Sequence, residues 1–136
     1  MYTTEIQIRV RYSETDRMSY VYYGNYAQYF EVARVESLRT LGVSYRDMED
    51  DGVLLPVLDF SVKFLKPAFY DELLTIKTSI AELPKARIVF NYETYNEQGA
   101  LLNKASTTLV FVNKATGRPM AAPLSITDKL IEYFPV

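Results

Sequence analysis

The sequence predicts an α+β fold in which one antiparallel sheet curls around a single long helix. Five segments alternate between apolar and polar residues, one segment repeats apolar residues every three to four positions, and short polar connections separate the later alternating segments. A lone long helix must bury its apolar side, and the sheet is the element large enough to cover it. The 136 residues are expected to form one domain, 1–136, that buries roughly two thirds of its unfolded surface.

The first strand and the long helix follow from their hydrophobic periods. A strand is predicted over Glu5–Tyr12, where apolar and polar residues alternate, and residues 13–19 are predicted to form a loop. A helix is predicted over Asn25–Leu41, with Asn25 as its N-cap and Gly42 at its C′ position. Its buried stripe is expected to comprise Tyr26, Tyr29, Phe30, Ala33, Ser37, Leu38 and Leu41.

The polar side of this helix carries two pairs of opposite charge at i,i+3 spacing, Glu31 with Arg34 and Glu36 with Arg39. Both pairs are expected on the helix surface, and Glu31 with Arg34 alternatively at a subunit interface. After the helix, Ser44 has the position of an N-cap for a short second helix.

Four more strands are predicted beyond the second helix. Hairpin-length connections separate them, so we expect an antiparallel meander in which each strand pairs with the next one along the chain. The tail over Thr127–Phe134 is predicted to add one or two helical turns. The four strands are expected over Val57–Phe64, Leu73–Ile80, Arg87–Tyr95 and Leu101–Val112.

The composition excludes several kinds of chemistry. The chain contains no histidine, which excludes Ser-His-Asp and Cys-His nucleophiles and a histidine general base. It contains no cysteine, which excludes disulfides, thiolate chemistry and zinc sites of cysteine and histidine. The net charge of −2 argues against a nucleic-acid partner. We expect no membrane association and a cytoplasmic protein, because no apolar run has the length of a membrane span and the N-terminus lacks a signal-peptide core.

Two carboxylates, Glu14 and Asp16, lie just before the predicted start of the long helix. A helix start presents unpaired N–H groups and a partial positive charge, which suit a carbonyl oxygen that becomes anionic. A carboxylate beside such donors can hydrolyse an acyl group, because the donors polarise the carbonyl while the carboxylate attacks it or activates water. The spacing also fits an Asx-turn or an extra cap at Asp16, and taken alone it favours this structural interpretation.

Three motifs follow one another over Tyr12–Asp16, Val21–Tyr26 and Phe30–Glu36. Together they resemble the acyl-CoA thioesterases of the 4-hydroxybenzoyl-CoA thioesterase type, which have the hotdog fold. Lys66–Ala68 followed by Asp71–Leu73 resembles that family's link between its second and third strands. The resemblance implies hydrolysis of an acyl-CoA thioester to a free acid and CoA, without a metal or redox cofactor. It also implies a homodimer, often paired into a homotetramer, with active sites at the subunit junction.

The resemblance assigns roles to individual residues. The family's catalytic aspartate matches Asp16, which would act as nucleophile or as general base for water. The backbone amide that holds the thioester carbonyl falls by position on Tyr23, so Asp16 and Tyr23 are the catalytic candidates. The substrate-binding candidates around them are Tyr20, Tyr22, Gly24 and Asn25.

The chain departs from the family pattern at Ser19, where a glycine is common, at Tyr20, where a small aliphatic residue is common, and at Tyr23, where many members have histidine. A backbone amide survives every side-chain change except proline, so the carbonyl-binding role is compatible with Tyr23. The tyrosines here are instead expected to narrow the acyl pocket.

Other functions on the same scaffold stay open at this point. One is a thioesterase for acyl groups on acyl-carrier protein, and another is a non-catalytic module that binds acyl thioesters. Hotdog dehydratases and hydratases are disfavoured, because they depend on a histidine that this chain lacks. A CoA ligand would also need cations near its phosphates, and the candidates are Lys63, Lys66, Lys85, Arg87, Lys114 and Arg118.

Overall fold

A computed structural model describes residues 1–135 as a five-stranded antiparallel sheet wrapped around one long helix. This is the α+β architecture that the sequence predicts. Two short 3-10 turns, at Tyr12–Glu14 and Ile131–Tyr133, complete the regular structure. In chain order the strands and helices are β1 (Tyr2–Arg9), α1 (Asn25–Leu41), α2 (Tyr45–Asp50), β2 (Val53–Leu54), β3 (Val57–Phe64), β4 (Leu73–Ile80), β5 (Arg87–Tyr95), β6 (Leu101–Val110), β7 (Val112–Asn113) and α3 (Leu124–Leu130).

The order of strands in the large sheet is β1-β4-β5-β6-β3. The predicted meander is correct for β4, β5 and β6 but wrong for β3, which pairs with β6 at the far edge. The reason is the connection over residues 65–72. It crosses the sheet from the edge strand β3 to β4, which lies beside β1, instead of forming a hairpin. Its end is tied to the chain after β1, because Glu72 accepts the Val10 N–H at 2.9 Å and Asp71 donates its N–H to Val10 at 3.0 Å.

Helix α1 has the predicted bounds and buries the predicted side. Gly42 ends it with φ of 95°, a left-handed conformation that glycine adopts without strain. The ring of Phe30 stacks on Tyr92 of β5 with a centroid separation of 4.5 Å. Full burial of a side chain such as Phe30 contributes about 1.5–3 kcal/mol to folding. The helix therefore forms the centre of the core, with its first turn at one end of the sheet.

Some local predictions were wrong. The first strand ends at Arg9, and Tyr12 lies in a 3-10 turn with 77% of its surface exposed. Asn25 is the first residue of α1, after Gly24 at the N-cap position, and its side chain contacts the preceding loop. Arg34 is 6% exposed, so it does not lie on the helix surface.

Other local predictions were confirmed. Glu36 and Arg39 form the expected ion pair, and Ser44 caps α2 by accepting the Asp47 N–H.

The single last strand predicted over Leu101–Val112 is wrong, because the chain divides at the buried Phe111 into β6 and the short β7, which pairs with β2. Within residues 1–135, no helix combines the length and apolar character needed to span a membrane.

Candidate active site

The loop before α1 is closed on itself by backbone hydrogen bonds. Thr15 and Val21 form an antiparallel bridge, and Asp16 donates its N–H to the Tyr20 carbonyl at 3.0 Å. At the tip, Ser19 donates its N–H to the Asp16 carbonyl and adopts a left-handed conformation with φ of 71°. A non-glycine residue there costs about 1–2 kcal/mol, which explains why glycine suits this position.

Within this loop only one oxygen of the Asp16 carboxylate accepts a hydrogen bond. Its Oδ1 accepts the Met18 backbone N–H at 2.8 Å, which is the Asx-turn that the spacing predicts. Among the described residues Oδ2 forms no hydrogen bond, and Asp16 is half-buried at the wall of a cavity. The Asx-turn and a chemical role are thus compatible, because the turn occupies one oxygen and leaves the other available.

Tyr22, Tyr23 and Gly24 form the turn that leads into α1. The carbonyls of Tyr22 and Tyr23 accept the N–H groups of Asn25 and Tyr26 at 2.9 and 3.2 Å. The Tyr23 N–H itself meets no acceptor in the part of the chain that the structure covers. Being at the positive end of the helix, this N–H is a donor suited to a carbonyl oxygen that gains negative charge.

A cavity of about 520 Å³ lies between this loop and the end of β3. It brings together four of the six candidate site residues, Asp16, Tyr20, Tyr22 and Tyr23. Most of its other walls are apolar or aromatic, and Lys66 contributes a cation. Its lining residues are Asp16, Met18, Tyr20, Val21, Tyr22, Tyr23, Tyr26, Phe64, Leu65, Lys66 and Pro67.

The other two candidates, Gly24 and Asn25, do not line this cavity. A Cβ at Gly24 would lie 2.7 Å from Cε2 of Tyr22, so the absence of a side chain lets the Tyr22 ring lie against the helix start. Asn25 donates from Nδ2 to the Glu14 carbonyl at 2.8 Å and so joins α1 to the loop. Both residues shape the surroundings of the cavity from outside it.

The opposite wall is formed by Phe64, Leu65, Lys66 and Pro67, of which the sequence candidates included only Lys66, as a cation for the CoA phosphates. The resemblance at Lys66–Leu73 was a signal that this connection belongs near the site, but nothing local identified its side chains as lining. Two aromatic pairs narrow the space: the rings of Tyr22 and Tyr23 lie 4.7 Å apart, and those of Tyr26 and Phe64 lie 5.5 Å apart. The pKa of Tyr22 is raised, first by its hydrogen bond to Tyr23 and the charge of Tyr23, and then by burial and the charge of Asp16.

The second carboxylate, Glu14, has a different environment from Asp16. It is 7% exposed and its two oxygens accept hydrogen bonds from the backbone and guanidinium of Arg11 and from the hydroxyl of Tyr29. Burial alone would raise the pKa of Glu14, but these hydrogen bonds and the Arg11 charge together lower it. Burial and the bond to Glu14 raise the pKa of Tyr29, which therefore stays a neutral donor.

Comparison with known proteins identifies the family of this chain. A model of the thioesterase superfamily matches residues 18–103. The acyl-CoA thioester hydrolase YbgC of Escherichia coli is 33% identical over 119 residues, 88% of this chain and 89% of its own length.

Solved structures give the same fold. The DHNA-CoA thioesterase of Staphylococcus aureus superposes with a TM-score of 0.85 and 39% identity, covering 99% of this chain and 85% of its own. A 4-hydroxybenzoyl CoA thioesterase shares the fold, with a TM-score of 0.86, 21% identity, and coverage of 95% of this chain and 99% of its own. This chain therefore belongs to the thioesterase superfamily, as a thioester hydrolase with the hotdog fold.

Proposed function

We propose that this thioester hydrolase cleaves acyl-CoA, with Asp16 as nucleophile or general base and the Tyr23 backbone N–H polarising the thioester carbonyl. The observation that carries the proposal is that Asp16 and Tyr23 line one cavity at the start of α1. The carboxylate has an oxygen not bound within the described residues, and the Tyr23 N–H has no acceptor there.

Two reaction routes use these groups. As general base, Asp16 takes a proton from water while the hydroxyl adds to the carbonyl carbon. The C–S bond then breaks, and the thiolate of CoA receives that proton. As nucleophile, the Asp16 carboxylate adds to the carbonyl, CoA thiolate leaves, and water cleaves the mixed anhydride to release the acid. In both routes the carbonyl oxygen becomes anionic, where the Tyr23 N–H and the helix dipole stabilise it.

The acyl group would occupy the aromatic part of the cavity. Tyr20, Tyr22 and Tyr26 supply ring surfaces on the loop and helix side, and Phe64 faces them from β3. Burial raises the pKa of Tyr26 to about 12, which keeps its phenol neutral. Lys66, which also lines the cavity, is the cation best placed to meet a phosphate of CoA.

The test is release of CoA thiol from short, medium, long and aromatic acyl-CoA substrates by wild type and Asp16→Asn. Asp128→Asn is the matched control, because Asp128 is an exposed carboxylate on α3 outside the cavity. We expect Asp16→Asn to lower kcat by about 10²–10⁴, the range for loss of an acid-base group, with the melting temperature retained. Turnover that survives in Asp16→Asn would contradict the catalytic role of Asp16.

The same assay on acyl-carrier-protein thioesters separates the two carriers. Turnover with acyl-carrier protein alone would assign the carrier-protein substrate instead of CoA. Binding without turnover on either carrier would assign the non-catalytic module.

We also propose that a second copy of the chain packs against β3, giving the homodimer that could pair further into a homotetramer. As an edge strand, β3 pairs with β6 on one side, and apolar residues remain 40–53% exposed along it and just beyond: Val57, Leu58, Phe60, Phe64 and Leu65. Edge strands are often protected by bulges and charges, and β3 has a bulge at Val57/Asp59 and the charges of Asp59 and Lys63, but its exposed apolar side chains favour burial against another chain.

The charges beside β3 support a two-fold arrangement. A cavity of about 290 Å³ between α1 and β3 is lined in part by Glu31, Arg34 and Phe60. Within residues 1–135 Arg34 forms no ion pair, and its buried Nε has no hydrogen-bond partner. A second copy packed over this cavity would supply an acceptor for that Nε, and two-fold symmetry would repeat the contact in the other copy. Because Phe64 and Leu65 also line the 520 Å³ cavity, the partner would help to enclose the substrate.

A further inference from the structure

We propose that Glu14 is a positioning residue, which sets the geometry between the Asp16 carboxylate and the Tyr23 N–H by fixing the loop to α1. This inference rests on the proposed function of Asp16 and Tyr23. Glu14 does not line the cavity, so it would act through those two groups and not on the substrate.

The Glu14 carboxylate links Arg11, just beyond the end of β1, to helix α1. Oε1 accepts the Arg11 backbone N–H and the Tyr29 hydroxyl, each at 2.8 Å. Oε2 accepts from Nη2 of Arg11 at 3.0 Å and from Nε at 3.3 Å. The group is thus held by Arg11 on one side and by the second turn of α1 on the other. Such charge-assisted bonds are shorter and stronger than neutral ones, and a site with several of them resists displacement.

The Glu14 backbone makes a second connection to the same helix end. Its carbonyl accepts the Tyr22 N–H at 2.9 Å and Nδ2 of Asn25 at 2.8 Å. Asn25 and Tyr29 are four residues apart on α1, so one face of the helix binds both the carbonyl and the carboxylate of Glu14.

These bonds form one of the connections between the two groups proposed to act, beside the Asp16–Tyr20 hydrogen bond and the Thr15–Val21 bridge. Asp16 follows Glu14 by two residues, and Tyr23 follows Tyr22 directly, so the Tyr22–Glu14 hydrogen bond connects them. A small rotation at Glu14 would therefore move the carboxylate relative to the amide. Misplacement of about 1 Å by a change away from the reacting atoms can lower a rate about 10²-fold.

The test uses Glu14→Gln and Tyr29→Phe, which remove the charge and one hydrogen bond while keeping the side-chain shape. We expect kcat on the best acyl-CoA to fall about 10- to 100-fold for Glu14→Gln and about tenfold for Tyr29→Phe, with KM changed less than about twofold. In an Asp16→Asn background, Glu14→Gln should lower kcat less than about twofold further, because it acts through Asp16.

Two controls separate positioning from general stability. Glu36→Gln removes the acid of the exposed Glu36–Arg39 pair, which has the same i,i+3 spacing as Arg11–Glu14. Tyr92→Phe removes a buried tyrosine hydrogen bond, to Thr107 at 2.6 Å, away from the loop. Tyr92→Phe should lower the melting temperature as much as Tyr29→Phe, yet both controls should keep kcat within about twofold of wild type.

Hydrogen exchange at the Tyr22 and Tyr23 amides tests positioning without substrate. We expect faster exchange at Tyr22 in Glu14→Gln than in Tyr92→Phe, since Tyr22 donates to Glu14. Unchanged kcat in Glu14→Gln, or an equal loss of kcat in Tyr92→Phe, would overturn the inference. If wild type cleaves no thioester, the proposed function fails, and unchanged Tyr22 exchange would then overturn the positioning role as well.

Discussion

The loop before α1 and the outer strand β3 form opposite walls of one cavity, but they are stabilised in opposite ways. In the loop, backbone groups pair locally, as Thr15 does with Val21, and the buried Glu14 side chain binds within the same chain. Along β3, one edge pairs with β6 while Phe60 and Phe64 stay 40% and 49% exposed. The loop is complete within one chain, whereas β3 has apolar surface that a second chain would cover. We therefore expect changes in the loop to affect catalysis and changes at β3 to affect assembly first.

After Asp16→Asn, the largest effect is expected from removing the amide at the helix start. Tyr23→Pro eliminates the N–H, and this N–H donates no hydrogen bond within the described residues, so the substitution breaks no bond of the loop. Loss of one donor to the developing oxyanion should lower kcat about 10²–10³-fold, while KM for acyl-CoA changes little. The matched variant Tyr23→Phe keeps the amide and should lower kcat by less than about tenfold. An equal loss in both variants would assign the effect to the side chain.

The proposed interface at β3 can be disrupted without changing the loop. Phe60→Glu places a charge on the exposed edge, and we expect monomers by size-exclusion chromatography with light scattering, with kcat/KM lowered roughly tenfold. Val32→Glu is the control, because Val32 is an apolar residue on α1 that is at least as exposed as Phe60, 47% against 40%. A wild-type chain that is monomeric at assay concentration, or a Phe60→Glu variant that stays a dimer, would contradict the proposed interface.

The two walls also differ in how well sequence patterns predict them. Helix α1 was predicted with its bounds, because the three-to-four spacing and Gly42 are local signals. The pairing of β3 with β6 was not predicted. It depends on the path of the connection over residues 65–72, and the alternation of residues within a strand does not specify that path. Asn25 was assigned as a cap because its residue type favours caps. Its actual partner, the Glu14 carbonyl, lies 11 residues earlier and depends on the loop's folded path.

Acidic pH should test whether the Glu14 charge stabilises the loop. The folded-state pKa of Glu14 is lowered from its ordinary value of 4.5, so its ionised form stabilises the fold above about pH 4.5. That stabilisation is lost as pH falls through the lowered pKa. We expect the free energy of unfolding, measured in urea, to fall between pH 4.5 and about pH 3 less steeply in Glu14→Gln than in wild type. The Glu36→Gln variant should follow the wild-type curve, and parallel curves for Glu14→Gln and wild type would contradict a stabilising charge.

The smallest effect is expected at the tip of the loop, where Ser19 adopts φ of 71°. Ser19→Gly removes the steric cost of the left-handed conformation, about 1–2 kcal/mol, but adds about 0.5–1 kcal/mol of unfolded-chain entropy. The net gain in stability should be about 0.5–1 kcal/mol, measurable as a higher urea midpoint with an unchanged m-value. Asp71→Gly is the matched comparison at φ of 68°, and it should gain less, because aspartate tolerates this conformation better than serine. If kcat rises or falls with Ser19→Gly while stability increases, the tip of the loop influences Asp16 as well as the fold.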